Sequence, residues 1–170
     1  MGEAMIELGD DAGARDVLAE AVDLFTRRGE RGQIPEVQAR LARALVHLGD
    51  IAAARRHADA AAATAIASDL ESRFISAVAR AEVSEAEGDL AAAETLFREA
   101  IALLEPSGIG NALAETREHY ARFLLRHGRV AEARVELERA RAFWSDPLAQ
   151  RHRERIDGLI KTTAPKTISI

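Results

Sequence analysis

Residues 42–61 read ARALVHLGDIAAARRHADAA, two stretches of helical patterning that meet at Gly49-Asp50. Beyond the Gly, Ala54, Ala58 and Ala61 stand four and three apart. That spacing places them on one face of a helix. Before it, IPEVQARLARALVHL (34–48) carries apolar or small residues at the same spacing. A Gly between two such stretches suits the left-handed residue that closes a helix, and the Asp after it suits the N-cap of the next. The local reading is therefore helix, turn, helix.

The same arrangement recurs. Gly9, Gly49, Gly88 and Gly128 stand 40, 39 and 40 residues apart, and Asp10, Asp50 and Asp89 follow the first three, with Arg129 after the fourth. Three residues past each Gly come Ala12, Ala52, Ala91 and Ala131. Five past come Ala14, Ala54, Ala93 and Ala133, and twelve past come Ala21, Ala61, Ala100 and Ala140. At nine stand Leu18, Ala58, Phe97 and Leu137, so offsets five, nine and twelve form a stripe. Upstream, SRFISAVARAEVSEAE (72–87) and AETREHYARFLLRH (114–127) match 34–48, and Ala42, Ala81 and Ala121 each lie seven residues before their Gly. A helix pair of this kind cannot bury its apolar face alone, so neighbouring pairs are expected to stack into one core.

Composition agrees with an all-helical chain. The 170 residues include 4 Pro and 11 Gly, aromatics make up 4%, and Ala, Leu and Arg are abundant. The absence of Cys excludes disulfides, thiolate metal sites and a Cys nucleophile. A formal charge of -5, with 23 basic and 28 acidic side chains interspersed, does not make a nucleic-acid footprint. No apolar run approaches the roughly 20 residues that span a bilayer, and MGEAMIELGD is unlike a secretory leader. A soluble, cytoplasmic chain with no membrane partner is expected.

These signals predict eight helices and no strands, at about 11–28, 34–48, 51–67, 70–87, 90–105, 110–127, 130–144 and 147–161. Loops fall at RRGERGQIP (27–35), EPSGIGN (105–111) and SDP (145–147), and Ser68 or Asp69 caps the helix that follows. Residues 1–161 form a single expected domain: a partial unit at about 1–30, units at 34–68, 70–106 and 110–145, and an amphipathic closing helix at 147–161. Residues 162–170 are expected to be a flexible tail. Only eight residues precede Gly9, so the chain is expected to begin inside a unit and to be a piece of a larger protein. Met1, Met5, Ile6 and Leu8 would then lie at an apolar, partly exposed end that a second copy or a neighbouring domain covers.

The stretches 42–61, 77–103 (AVARAEVSEAEGDLAAAETLFREAIAL) and 118–143 (EHYARFLLRHGRVAEARVELERARAF) resemble tetratricopeptide repeats. In that family a small residue, the turn Gly and two Ala of the second helix mark each unit. The spacing exceeds the usual period of about 34 residues. It is similar to a long-period variant in C-terminal regions of bacterial signalling proteins, among them regulator ATPases, nucleotide cyclases and kinases. The resemblance implies a right-handed α-solenoid of stacked antiparallel helix pairs, with a protein-interaction scaffold as its function. Gln38, Ala77 and Arg117 stand where bulky residues are expected near the start of each first helix, and Arg80 replaces an apolar one.

Stacked pairs with a small rotation per unit form a concave face lined by the first helices, suited to a peptide or a partner helix. The resemblance, with the face opposite the small-residue stripe, places Arg40, Arg43 and His47 in that groove with Glu36, Ala39 and Val46. Val78, Glu82 and Glu85 follow from the next unit, with Ile75 and Ala86. Glu118, Arg122 and Arg126 follow from the last, with Glu115 and Leu125. The mixed signs leave the charge of the ligand open. Chaperone-binding members of the family grip a terminal carboxylate with Lys and Asn on their first helices. Here the only Asn is Asn111 and the only Lys are Lys161 and Lys166, so that pattern is missing. Arg40 with Arg43, and Arg122 with Arg126, read first as solvated residues paired with Glu36 and Glu118, and second as a grip on an acidic group.

Catalytic readings are weaker. His47, His57, His119, His127 and His152 show no metal-ligand spacing. His47 and His127 sit in the last turn of a helix, where the dipole favours a cation. Glu82, Glu85 and Glu87 read as a solvated face rather than an acid–base pair. Ser107-Gly108-Ile109-Gly110 follows a helix and lacks a phosphate-loop Lys, so it reads as a linking turn. Phe143 and Trp144 are expected to pack on the closing helix. No enzyme, metal or cofactor is expected. The remaining alternative to a partner-binding scaffold is a homo-oligomerisation module acting through the N-terminal end or the convex face.

Overall fold

The computed structural model describes residues 2–144 and 150–163. Among these there are helices and no strands, in the order α1 (Gly2–Glu7), α2 (Asp11–Arg28), α3 (Ile34–His47), α4 (Ile51–Thr64), α5 (Leu70–Ala86), α6 (Leu90–Leu104), α7 (Gly110–Arg126), α8 (Val130–Phe143) and α9 (Gln150–Thr162). A short 3-10 turn, Glu105–Ser107, follows α6. The expected boundaries hold to within one residue except at α4 and α9. Helix α4 stops at Thr64 rather than 67, because Ala65 turns to an extended conformation (φ -58°, ψ 129°). The segment 145–149, with the expected SDP loop and the expected start of the closing helix, lies outside the described residues, as does the expected tail beyond 163.

The reason for four of the chain reversals is the same. Gly9, Gly49, Gly88 and Gly128 all have positive φ (79°, 80°, 86° and 74°). At Gly49 the N–H bonds Val46 O at 3.0 Å and the next N–H bonds Leu45 O at 3.0 Å. These two bonds satisfy carbonyls that the end of α3 would leave open. Gly88 and Asp89 repeat this on Glu85 and Ser84, and Gly128 and Arg129 on Leu125 and Leu124. The carboxylates of Asp10, Asp50 and Asp89 then accept the N–H of Gly13, Ala53 and Ala92, each at 3.0 Å. Arg129 provides no such cap. Asp69, not Ser68, caps α5 through Glu71 N at 3.1 Å.

The helices fall into two compact units, Met1–Leu103 and Leu104–Ile170. In the first, α3 packs on α2, α4 and α5, and α4 packs on α5. Ala14, Leu18, Leu41, Ala42, Leu45, Ala54, Ala58, Ala61, Ala79 and Val83 belong to one apolar cluster there. Small side chains at a helix contact let the axes approach toward the short end of the usual range of about 8–10 Å. In the second unit α7 packs on α8, and α8 on α9.

Position within the recurring pattern decides burial. At offset five, Ala14, Ala54, Ala93 and Ala133 are all fully buried, and so are Ala42, Ala81 and Ala121 before the glycines. At offset twelve Ala61, Ala100 and Ala140 are buried while Ala21 is only partly so. The Ala residues at offset three, in the first turn of each second helix, face solvent, so packing does not explain them. At the N-terminal end Ile6 is buried rather than exposed, Met5 is half-buried, and Leu8 is 83% exposed. Ile6 therefore belongs to the core of the first unit, and among the described residues half-buried Met5 and exposed Leu8 answer to the expected apolar end.

Candidate functional site

Most of the residues expected to bind a partner lie on the charged faces of α3, α5 and α7, and each cluster is built by helical spacing. On α3, Arg43 Nε donates to Glu82 Oε2 of α5 at 2.9 Å, with 10% and 11% of the two side chains exposed. One turn earlier Arg40 pairs with Glu36 of its own helix. His47, at the end of α3, meets the Asp11 carboxylate across the first turn at 2.8 Å and stays exposed. Val78 is buried, at 5% exposure. Glu85 is half-buried on α5 and engaged in contacts.

A second link joins α4 to the end of α5. Arg55 Nε donates to Glu87 Oε1 at 3.0 Å, and Arg55 Nη2 reaches both Glu87 and Ser84 Oγ. The hydrogen bond from Arg55 holds the Glu87 carboxyl below the usual carboxylate range. On the same helix, burial and then the charge of Arg56 push His57 below the ordinary imidazole value, so it favours the neutral form.

The second unit carries the most buried charges. Arg117 of α7 donates to Glu136 of α8 at 2.6 Å and to Glu105 at 2.7 Å, and Arg139 holds the other oxygen of Glu136 at 2.8 Å. Glu118, its neighbour, is 3% exposed. Arg122 donates to Glu118 Oε1 at 2.7 Å, one turn along α7. From α9, Arg155 Nε lies 2.7 Å from the same oxygen and Nη2 donates to Oε2 at 2.9 Å. Arg126 is exposed at the last turn of α7 and also engaged.

Three expectations need correction. Arg43 is not a solvated surface residue, because its partner lies on the neighbouring helix and both are largely buried. Glu82 is largely buried and taken up by Arg43, so it is not part of a solvated face, whereas Glu87 pairs with Arg55 and stays exposed as expected. Glu118 keeps the expected bond to Arg122 but is buried under Arg155. Sequence reasoning missed Arg55, Arg117, Glu136 and Arg155. For the Arg43–Glu82 pair a signal existed: both stand six residues before their turn Gly with opposite sign.

The linking-turn reading of 107–110 holds. Gly108 is left-handed (φ 75°) between two helical segments, and a Cβ on Gly110 would collide with the Phe143 ring. Trp144 stacks on His152 of α9 with centroids 4.1 Å apart and planes at 10°, as expected for packing on the closing helix. Among the described residues no three His, Asp or Glu gather as metal ligands, and no helix is long and apolar enough to cross a membrane. Comparison with protein-family models gives no match, and comparison with curated proteins gives none either.

Proposed function

We propose that the chain is a tetratricopeptide-like, right-handed α-solenoid scaffold that binds a peptide or helix of a partner protein along its first helices, as a regulatory part of a bacterial signalling protein. The observation that carries this reading is the turn used four times, a left-handed Gly with the same pair of closing bonds, set between helices whose facing Ala residues are fully buried. Identical reversals at a period of 39 or 40 residues are what stacked helix pairs require. Within the first unit, the opposite charges of Arg40 and Glu85 suit recognition of a mixed-charge helix by orientation rather than by net attraction.

The test is a selection of displayed peptides on the full chain, followed by amide mapping of where the selected peptides bind. Shifts centred on α3, α5 and α7 near Arg40, His47, Glu85 and Arg126 are expected. Shifts confined to α2, α4 and α8, or no selected peptide at all, would overturn the reading.

Self-assembly is the second reading, and Leu8 favours it. A leucine 83% exposed beside a turn is a natural contact for a second copy. Sedimentation over a range of concentrations, with Leu8→Asp as the control, separates the two. A dimer abolished by that substitution would favour assembly, and a monomer at all concentrations would exclude it.

A further inference from the structure

Helix α9 is attached in a different way from every other long helix. Of its residues Ile156 alone is buried. Leu159 and Ile160 are half-buried, and the polar part of its attachment is directional: Arg155 Nη2 donates to Oε2 of the buried Glu118 of α7 at 2.9 Å with Nε 2.7 Å from Oε1, Asp157 accepts from Arg141 Nε of α8 at 2.5 Å, and His152 stacks on Trp144. These contacts come from positions 152, 155, 156 and 157, which is how an amphipathic helix is read when it lies in a receptor groove. Glu118 is also a residue that sequence reasoning assigned to partner binding, and in this chain α9 covers it.

We propose that the surface formed by Glu118, Arg141 and Trp144 is a helix-binding site and that α9 is its resident ligand. The site takes in trans one kind of occupant: a partner helix with a basic residue directly followed by an aliphatic one, displacing α9. Charge complementarity selects this occupant. A carboxylate that is 3% exposed and already held by Arg122 on one oxygen favours a second cation on the other, as Arg155 supplies, and the aliphatic residue takes the buried place of Ile156. The proposal rests on the reading of the chain as a helix-binding scaffold and names the partner of one part of it.

The experiment uses the full chain and a synthetic peptide of residues 150–163. Trp144 is the only tryptophan, so its emission reports whether α9 is seated. In the parent chain α9 occupies the site, and the peptide should bind weakly. Arg155→Glu should shift the emission to the red with helical circular dichroism retained, and the peptide should reverse the shift, binding at least about tenfold more tightly than to the parent, because the competent fraction has risen. Should Arg155→Glu lose its helicity, Glu118→Arg replaces it. That chain should ignore the native peptide and bind the peptide carrying Glu at position 155. Equal binding of the native peptide to the parent and to Arg155→Glu, or failure of the charge-reversed peptide on Glu118→Arg, would overturn the proposal. A variant that sediments as a dimer and ignores the peptide would show that the occupant is a second copy, and the partner-helix proposal would fall. None of these outcomes touches the selected-peptide test of the scaffold reading, which maps contacts on α3 and α5 as well.

Discussion

Helices α3 and α9 are nearly equal in length but are held in place by different physics. Helix α3 buries Val37, Leu41, Ala42, Ala44 and Leu45 on neighbours before and after it in sequence, and its one buried ion pair, Arg43–Glu82, sits within that apolar contact. Helix α9 fully buries only Ile156, half-buries Leu159 and Ile160, and adds the polar contacts of Arg155, Asp157 and His152. Apolar burial is non-directional and contributes about 1.5–3 kcal/mol for each large side chain, so α3 is part of the core. Directional charge contacts are replaced in kind by water or by another helix, so α9 is the helix that can exchange. The lesson extends to the two units. Residues 1–103 are organised by small apolar side chains, and residues 104–163 depend more on buried charge.

The largest expected effect breaks that charge. Arg117→Ala leaves Glu136 and Glu105 without their shared guanidinium, and the loss of one partner from a buried pair costs about 3 kcal/mol. Arg139 still holds Glu136, which keeps the cost at the low end of the range for such pairs. Urea melts at fixed m-value measure it, and a loss below about 1 kcal/mol would mean that the second unit does not depend on this network. The corresponding blow to the first unit is steric. Ala81→Leu forces a larger side chain into a fully buried place and should cost about 2 kcal/mol by overpacking. A melt equal to the parent would show that the α5 face is not a close helix contact.

How much of this was legible depends on range. The helices, the four turns and the Asp caps follow from local chemistry: periodicity, a left-handed Gly and an Asx carboxylate act within a few residues, and all were readable. Burial of Ala14, Ala54, Ala93 and Ala133 followed too, because the period places them alike. Pairings between helices were legible only where the period itself carried them, as at Arg43 and Glu82, which occupy the same place in successive first helices. Arg117 was noted only as a departure from a bulky residue, since nothing near it in sequence announces Glu136, nineteen residues on. Arg155 was missed for the same reason, because its partner on α7 is thirty-seven residues away and outside the recurring pattern.

A smaller effect compares the turns. Gly88 has φ 86° with open space around its Cα, so Gly88→Ala meets no clash and should cost only the left-handed penalty, about 1 kcal/mol. Gly128→Ala, at φ 74° and equally open, should cost the same. Thermal melts of the two variants side by side would sharpen the comparison. A large difference between them would mean that the two turns carry unequal shares of stability despite the same geometry.

The smallest effect should be a gain. Arg129 stands where Asp10, Asp50 and Asp89 cap their helices, with a backbone (φ -85°, ψ 57°) close to that of Asp50 (φ -84°, ψ 70°). No rearrangement is needed for Arg129→Asp to bring a carboxylate to the open N–H groups of α8, and Glu132 three residues on completes a capping box. The substitution also replaces a cation with an anion at the positive end of the helix dipole. Against this stands the loss of the Arg129–Glu132 pair, which is exposed enough (31% and 53%) to contribute only a few tenths of a kcal/mol. The net expectation is a stabilisation of about 0.5 kcal/mol, roughly 1–2 °C in Tm for a chain of this size. A lower Tm would mean that the ion pair outweighs the missing cap, and that the second unit has traded an N-cap for charge at its turn as it has traded apolar contact for charge at α9.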